Sequence, residues 1–592
     1  METTLDPVWS LRPRHPSASA LAAGSGVPEV IAGLLLGRGV STDAEAHAFL
    51  SPHPDALHDP LRMKGMEHAA DILVSAARSG RRIVVFGDYD VDGVTSVAQL
   101  RAALTRAGTE AIAFLPHRLR DGYGLRPETV MRVLEEHRPG VIVTVDCGIT
   151  ALEGVACARG AGVEVIVTDH HLVPDELPEG AVVVNPRQPG CPYPEKDLAA
   201  CGIALKLAQA IARRAGVPLS LESLLRVAAL GTIADLVPLR GENRTIAALG
   251  LRALADARAP GLRALLVEAG IPEGVSPTSE EVAFRLAPRL NAAGRLDTAH
   301  LALSLFEERD AARGRQIATE LSARNAQRQG IERRVTAEAR ALYAREGDPA
   351  RDAVVVLGAP GWHRGVLGIA ASRLAREWHR PVLLFALDED VARGSGRSVP
   401  GVSLHGTLKT IASVFDEFGG HDQAVGASLP VSRFGQLQEA AREAFARLVP
   451  KSARRPVEEA DEALDPADVT RELAAWLARL EPHGMANPRP VFAATVRAAG
   501  PVRPIGESGL RGRLHADGGA ELDFVTWRRG DFPSASPDGR IEIHFSLRRN
   551  RRGREPAGSV PEAEIVAARP ATLPLALTAP TAARVREERV PA

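Results

Sequence analysis

Carboxylates and imidazoles gather at four places in this 592-residue chain, each at the end of an apolar segment. The run IVVFG leads straight into Asp88-Tyr-Asp90-Val-Asp92-Gly93, and VIVTV ends at Asp146. VIVT ends at Asp169, followed at once by His170 and His171, and the apolar helix LLRVAALGTIA ends at Asp235. Three carboxylates within five residues repel one another unless a cation lies between them. Asp90 and Asp92 flank Val91, so one turn can aim both at a single point. Gly93 permits close backbone approach, and the helix that opens there favours an anion at its N-terminus. Alone, the first motif also fits a solvated capping turn, and Asp146 or Asp235 an ordinary cap. The repeated placement sets them apart, because open parallel sheets collect their ligands at the carboxyl ends of strands. An oxygen-rich set with one or two imidazoles suits Mn²⁺ or Mg²⁺ better than structural zinc, which recruits thiolates. Several shared carboxylates imply two ions about 4 Å apart, a pair that activates water and stabilises a leaving oxygen. The residues alone therefore point to hydrolysis of a phosphate ester or anhydride.

The elements that must carry these groups are legible in the hydropathy pattern. RRIVVFGD (81–88), EAIAFLP (110–116), GVIVTVD (140–146), VEVIVTD (163–169) and AVVVNP (181–186) are short, β-branched runs alternating with amphipathic helical segments. Near-continuous apolar strands of this kind predict a parallel sheet covered on both faces. The pattern gives an N-terminal lead-in over 1–69 and a first α/β domain over 70–250. A helical region with a long connecting helix follows over 251–345, then a second α/β domain over 346–455. A β-rich domain over 456–570 and a flexible tail over 571–592 complete the chain.

Composition excludes several classes. The chain is 45% hydrophobic and 24% charged, which fits a soluble globular protein rather than a disordered or fibrous one. With 72 basic and 73 acidic residues, any polyanion site must be a local basic groove. Only five of the basic residues are lysine, so arginine abundance by itself says little about phosphate. Cys147, Cys157, Cys191 and Cys201 form no CxxC pair and read as small buried hydrophobes in a reducing compartment. The N-terminus lacks the basic-then-apolar order of a signal peptide, and no run of about 18 apolar residues appears. Together these predict a cytoplasmic protein.

The series Asp90-Val-Asp92-Gly93, Asp146, Asp169-His170-His171 and GTIAD235 resembles the four motifs of the DHH phosphoesterase family, in order and rough spacing. GWHRGVLGIAASRLAREWHRPVLLFA (361–386), GSGRS (394–398) and FGGHDQAVGASL (418–429) resemble the associated DHHA1 domain. FRLAPRLNAAGRLDTAHLAL (284–303) and the β-rich segment resemble the branch of that family that degrades single-stranded DNA from the 5′ end. The resemblance implies a DHH domain with a parallel sheet, a connecting helix, a DHHA1 domain and an oligonucleotide-binding (OB) fold. It implies that Asp90 and Asp146 hold one Mn²⁺ or Mg²⁺ ion. Asp92, Asp146, His170 and Asp235 would hold the other, with His171 beside the scissile phosphate and Asp169 part of the catalytic set. Where inorganic pyrophosphatases carry a histidine, this chain has Phe86, and Asp88 stands as the replacement ligand.

For the substrate, the resemblance implies that Arg118, Ser395 and Arg397 read a 5′ phosphate. A surface salt bridge is the alternative for Arg118. Arg289, Asn291 and Arg295 are further strand contacts, weighed equally against interdomain hydrogen bonding, and His421 is another, weighed against packing. FSLRRNRRGRE (545–555) carries five arginines and one acid, which fits a phosphate footprint or a solvated hairpin turn equally well. The implied activity is a 5′→3′ exonuclease in recombination and repair, with a single-strand-binding protein and a RecQ-type helicase as partners; a monomer is the default for an enzyme that threads a strand. An oligoribonucleotide or cyclic dinucleotide phosphodiesterase would share the core but not the β-rich domain. A silent DNA-binding scaffold has no reason to keep clustered carboxylates, and a Rossmann dehydrogenase would need a glycine-rich loop in place of DYDVDG.

Overall fold

The structure is a computed structural model that describes residues 7–118, 120–349, 351–450, 453, 455–506, 509–527, 532–533, 539–548 and 561–571. The chain divides into two compact units. One comprises the described residues within 52–454 together with Pro482–Asn487; the other holds those within 4–51, Arg455–Glu481 and those from Pro488 onward.

In the first unit, five parallel strands lie in the order Ile112–Phe114, Ile83–Gly87, Val141–Val145, Glu164–Thr168, Val182–Val184. Side chains alternate across a strand, so both faces of these β-branched runs are apolar and both are covered. Ile83 and Val85 join one hydrophobic cluster with Leu73, Val97 and Leu205 of the helices Met66–Arg78, Val91–Arg106 and Ala200–Ala215. Val84 and Phe86 join another with Phe114, Val130 and Val155. Every strand runs the same way, so Asp88, Asp146 and Asp169 all emerge at one edge.

The long connecting helix begins only at Ala311. His300–Glu307 is a separate helix, and Asp310 then caps a second one, Ala311–Glu346, by accepting the Arg313 N–H at 2.7 Å. Those 36 residues span about 54 Å. The helix is preceded by a π-helical turn, Val282–Leu286, that runs into the helix Ala287–Leu296. A second sheet follows in the order Glu417–His421, Ala424–Pro430, Val391–Arg397, Val382–Asp388, Val355–Ala359, with only the last two strands parallel.

In the second unit five strands close on themselves. Phe492–Ala498 pairs with Arg540–Arg548, which pairs with Glu562–Pro570; Glu521–Thr526 and Gly509–His515 return the ring to Phe492–Ala498. The residues up to Ser51, expected as a lead-in ahead of the first domain, pack here instead. Val8–Leu11 pairs with Val457–Ala460, and Leu21, Ile31, Leu35 and Phe49 share a core with Phe492, Ile543 and Phe545. Helices of eight residues, such as Ala18–Ser25 and Glu29–Leu36, are too short to stand alone and need such a surface. Among the described residues no single helix is long and apolar enough to cross a membrane. Residues 549–555 of the arginine-rich segment and all of the expected tail except Ala571 lie outside the described residues.

Candidate metal centre

The first motif is built by a cap. Asp90 precedes the helix Val91–Arg106, and its Oδ1 accepts the N–H groups of Asp92 at 3.0 Å and Gly93 at 3.1 Å. A Cβ on Gly93 would lie 2.5 Å from the Asp88 carbonyl oxygen, so only glycine lets the turn close. Asp92 is held from outside the motif: its Oδ2 accepts Ala200 N–H and its Oδ1 accepts Cys201 N–H, each at 2.8 Å, at the amino end of a helix. Asp146 sits at φ 62°, a left-handed conformation that swings its carboxylate off the strand end into the cluster.

The chain thereby gathers three interlocking groups whose ligand atoms lie within 4.8 Å of one another: Asp88, Asp90 and Asp146; Asp92, His170 and Asp235; Asp146, His170 and His171. His170 Nε2 lies 3.2 Å from Asp146 Oδ1 and 3.6 Å from Asp235 Oδ2. Phe86, buried and stacked 5.3 Å from Phe114, packs in a hydrophobic cluster with Val130 and Val155. Asp88 enters the first group in its place.

The electrostatics fit a cation. Burial and then Asp90 push the Asp88 carboxyl up; burial and then Asp90, Asp92, Asp235 and Asp88 do the same to Asp146. Asp235 is pushed up to about 9 by burial and then by Asp92, Asp90 and Asp88. Burial, then Asp90, takes Asp92 to about 6. A divalent ion bound among them would offset this mutual repulsion. Burial and then His171 bring His170 down to about 3, which keeps its imidazole neutral and its lone pair free. Asp88 Oδ1 and His170 Nε2 are buried without a hydrogen-bond partner, as suits metal-ligating atoms.

Asp169 is in none of the three groups. Its Oδ2 accepts the Ile149 N–H at 3.0 Å, and its Oδ1 accepts the N–H groups of His170 and His171 and lies 2.7 Å from His171 Nδ1. Burial works against the carboxylate, but the His171 contact and these N–H groups hold Asp169 below its usual range. Burial likewise opposes the His171 imidazolium, yet the hydrogen bond and charge of Asp169, with Asp88 and Asp90, hold His171 above its ordinary value.

The expected substrate residues separate. Arg118, Arg295 and Arg397 converge, and none of the three pairs with a carboxylate among the described residues. Arg118 lies over the Tyr89 ring at 4.8 Å. Arg295 donates to the Gly365 carbonyl at 3.3 Å and is pushed down to about 9 by desolvation and then by Arg118, Arg328 and Arg397. Desolvation and then Arg118 lower Arg397, for which Gly368 makes room: a Cβ there would lie 2.8 Å from the guanidinium. Ser395 shares the strand face of Arg397, and the rows beside them hold Gly426, Gly419, Ala424 and His421, leaving a face of small residues. His421 is exposed, two strands or about 10 Å from Arg397.

Arg289 and Asn291 serve the scaffold. Arg289 bonds Ser322 Oγ at 3.0 Å and the carbonyls of Arg285 at 2.6 Å and Glu268 at 3.5 Å. Asn291 Oδ1 accepts the Val91 N–H at 3.2 Å, and a Cβ on Gly294 would lie 2.5 Å from the Tyr89 carbonyl oxygen. The helix Ala287–Leu296 thus rests on the DYDVD loop. Tyr123 was missed: its hydroxyl donates to the Asp146 carbonyl at 3.2 Å, and its ring stands 6.1 Å from His171. The signal lay in a tyrosine between Gly122 and Gly124, both at positive φ, in a chain with four tyrosines.

Three family models match in sequence: the DHH family N-terminal domain over residues 82–232, the DHHA1 domain over 351–447 and the RecJ OB domain over 460–556. The single-stranded-DNA-specific exonuclease RecJ of Bacillus subtilis is 35% identical over 540 residues, covering 90% of this chain and 68% of that protein. The chain belongs to the RecJ family. The RecJ of Escherichia coli is 37% identical over 484 residues, covering 78% of this chain and 83% of its own. A crystal structure of RecJ from Thermus thermophilus in complex with Mn²⁺ superposes with a TM-score of 0.81 at 32% identity, over 96% of this chain and 80% of that one. The same protein in complex with Mg²⁺ gives 0.75 at 29% identity. The match to the RecJ OB domain, with these relatives, favours the exonuclease over the phosphodiesterase alternative.

Proposed function

We propose that this chain is a single-stranded-DNA-specific exonuclease that releases 5′ mononucleotides, using two divalent ions, Mn²⁺ or Mg²⁺. The observation that carries the reading is the sharing of Asp146 and His170 among three ligand groups, beside three arginines that pair with no carboxylate among the described residues. Asp88, Asp90 and Asp146 would hold one ion, and Asp92, Asp146, His170 and Asp235 the other. Such ions, when bound, lower the pKa of water and neutralise charge at a scissile phosphate. The remaining work falls to the chain. Asp169 fixes the His171 ring through Nδ1, which leaves Nε2–H to donate to a phosphate oxygen or the departing 3′ oxygen. Arg118 and Arg397, with the Ser395 hydroxyl, take a terminal 5′ phosphate by charge-assisted hydrogen bonds. The small-residue face between Ser395 and His421 lets a sugar–phosphate backbone lie close without reading bases. In the second unit, Trp527 is half-exposed with Arg548 at 5.7 Å from its ring, a stacking platform for a single strand.

The cellular setting that goes with this reading is cytoplasmic recombination and repair. A monomer would trim 5′ strands opened by a RecQ-type helicase, alongside a single-strand-binding protein. The test is one oligodeoxynucleotide labelled at either end, in Mn²⁺ and in EDTA, beside a duplex and an RNA of the same sequence. Mononucleotides released from the 5′ end of the single strand, only with metal, are expected. Cleavage of short RNA or cyclic dinucleotides without DNA degradation would overturn the substrate assignment.

A further inference from the structure

Behind the carboxylates one side chain ties two ligand-bearing stretches together. Asn243, fully buried at the start of the helix Gly241–Leu254, donates from Nδ2 to the Asp197 carbonyl at 2.6 Å and to the Pro238 carbonyl at 3.2 Å. Its Oδ1 accepts the Ala199 N–H at 3.3 Å. Pro238 lies three positions after Asp235. Asp197 and Ala199 lead into Ala200 and Cys201, whose N–H groups grip Asp92. A single amide therefore sets the distance between the loop that carries Asp235 and the helix start that holds Asp92.

The surroundings allow this amide little freedom. Gly241 sits at φ 46°, and a Cβ there would lie 2.3 Å from Glu195 Oε2. Glu195 in turn accepts the N–H groups of Glu242 at 3.1 Å and Asp197 at 3.3 Å. Glu242, next to Asn243, is buried in an ion pair with Lys206 of the Ala200–Ala215 helix and accepts the Tyr193 hydroxyl at 2.5 Å. Removing the Asn243 amide would take the donor from two half-buried carbonyls, so the two loops would relax toward other donors and move the carboxylates with them. Asp88 and Asp90 are positioned from elsewhere, through the cap of Val91–Arg106 and the contact from Asn291.

We propose that Asn243 is a positioning residue for the ion held by Asp92, His170 and Asp235, setting its affinity while leaving the Asp88–Asp90–Asp146 group unchanged. The proposal rests on the two-ion reading above. It is tested on the full chain by calorimetric and electron paramagnetic resonance titration with Mn²⁺, comparing wild type, Asn243→Ala and Asn243→Asp, with circular dichroism melting alongside. Asn243→Asp keeps the acceptor for Ala199 and loses both donors, so it carries the test if Asn243→Ala does not fold. In each variant one Mn²⁺ binds as in wild type and the other about ten- to a hundredfold more weakly, as loss of a supporting hydrogen bond does at metal sites. The Mn²⁺ concentration for half-maximal activity rises by the same factor, and excess Mn²⁺ restores kcat. Unchanged affinity at both ions, equal weakening at both, or lost activity that excess Mn²⁺ does not restore would overturn the role of Asn243. A wild-type protein that binds only one Mn²⁺ would overturn the two-ion reading itself, and the proposal with it.

Discussion

The Asp92 carboxylate accepts the Cys201 N–H at 2.8 Å across 109 residues of chain. This contact is what turns the middle of a capping motif into a fixed ligand, and Gly231 guards it. A Cβ at Gly231 would meet Thr95 Oγ1 at 2.5 Å, Cys201 Sγ at 2.6 Å and Asp92 Oδ1 at 2.8 Å. Gly231→Ala is therefore expected to cost about 1–3 kcal/mol of stability through overpacking. Mn²⁺ affinity should fall about ten- to a hundredfold as Asp92 is displaced. Wild-type Mn²⁺ titration curves for this variant would show that Asp92 is not held as described.

Asp146→Asn separates charge from shape. Asparagine tolerates the left-handed φ of 62°, so the backbone is undisturbed. Cleavage should drop by at least about a thousandfold, equivalent to about 4 kcal/mol of lost transition-state stabilisation. In EDTA the variant should melt at or above the wild-type temperature, because burial and four neighbouring carboxylates disfavour the Asp146 charge. In Mn²⁺ the order should reverse, since metal stabilises the wild type more. Retained cleavage, or a variant less stable than wild type in EDTA, would remove Asp146 from the shared position.

Most of the centre was legible because its ligands follow strands whose apolar runs are themselves legible. The five strands of the parallel sheet and the ends that carry Asp88, Asp146 and Asp169 follow from local pattern. Three features were not local. Arg289 and Asn291 sit in a motif that reads like strand contacts, but both bond the scaffold, because a helix packed on the DYDVD loop must satisfy Val91 N–H. Tyr123 reaches Asp146 only through a glycine-bracketed turn whose direction no periodicity gives. The N-terminal helices join the C-terminal barrel through a pairing of Val8–Leu11 with Val457–Ala460, some 450 residues apart, which neither segment announces.

Acid should weaken the second unit through His544. Its ring is buried 4.2 Å from Trp9, and burial, then Arg569, pushes it down to about 4 from the ordinary 6.5. A lowered imidazole binds its proton in the unfolded chain first. Its stabilising contribution is complete above about pH 6.5 and is lost as pH falls toward 4. At about 1.4 kcal/mol per unit this amounts to about 3 kcal/mol. Between pH 7 and pH 4.5, calorimetry should show His544→Leu losing less melting temperature than wild type. Parallel losses in both proteins would rule His544 out as the group responsible.

Arg397→Ala should alter how the enzyme reads the end of its substrate. The guanidinium lies over Gly368, is desolvated, has Arg118 as its charged neighbour and shares a strand face with Ser395. A cation kept without a carboxylate costs free energy unless an anion arrives, and a terminal phosphate carries the charge and the acceptors to match it. A charge-assisted hydrogen bond contributes about 1.5–3 kcal/mol, so the variant should lose about ten- to a hundredfold in kcat/KM on 5′-phosphorylated single strands. On 5′-hydroxyl strands it should lose little, because the contact was never made there. The loss should appear mainly in KM, since Arg397 is outside the three ligand groups. Titration of Mn²⁺ into the variant should match wild type, which separates end recognition from damage to the metal centre. An unchanged preference between the two kinds of 5′ end would reject Arg397 as the end reader and return the arginine trio to a structural role.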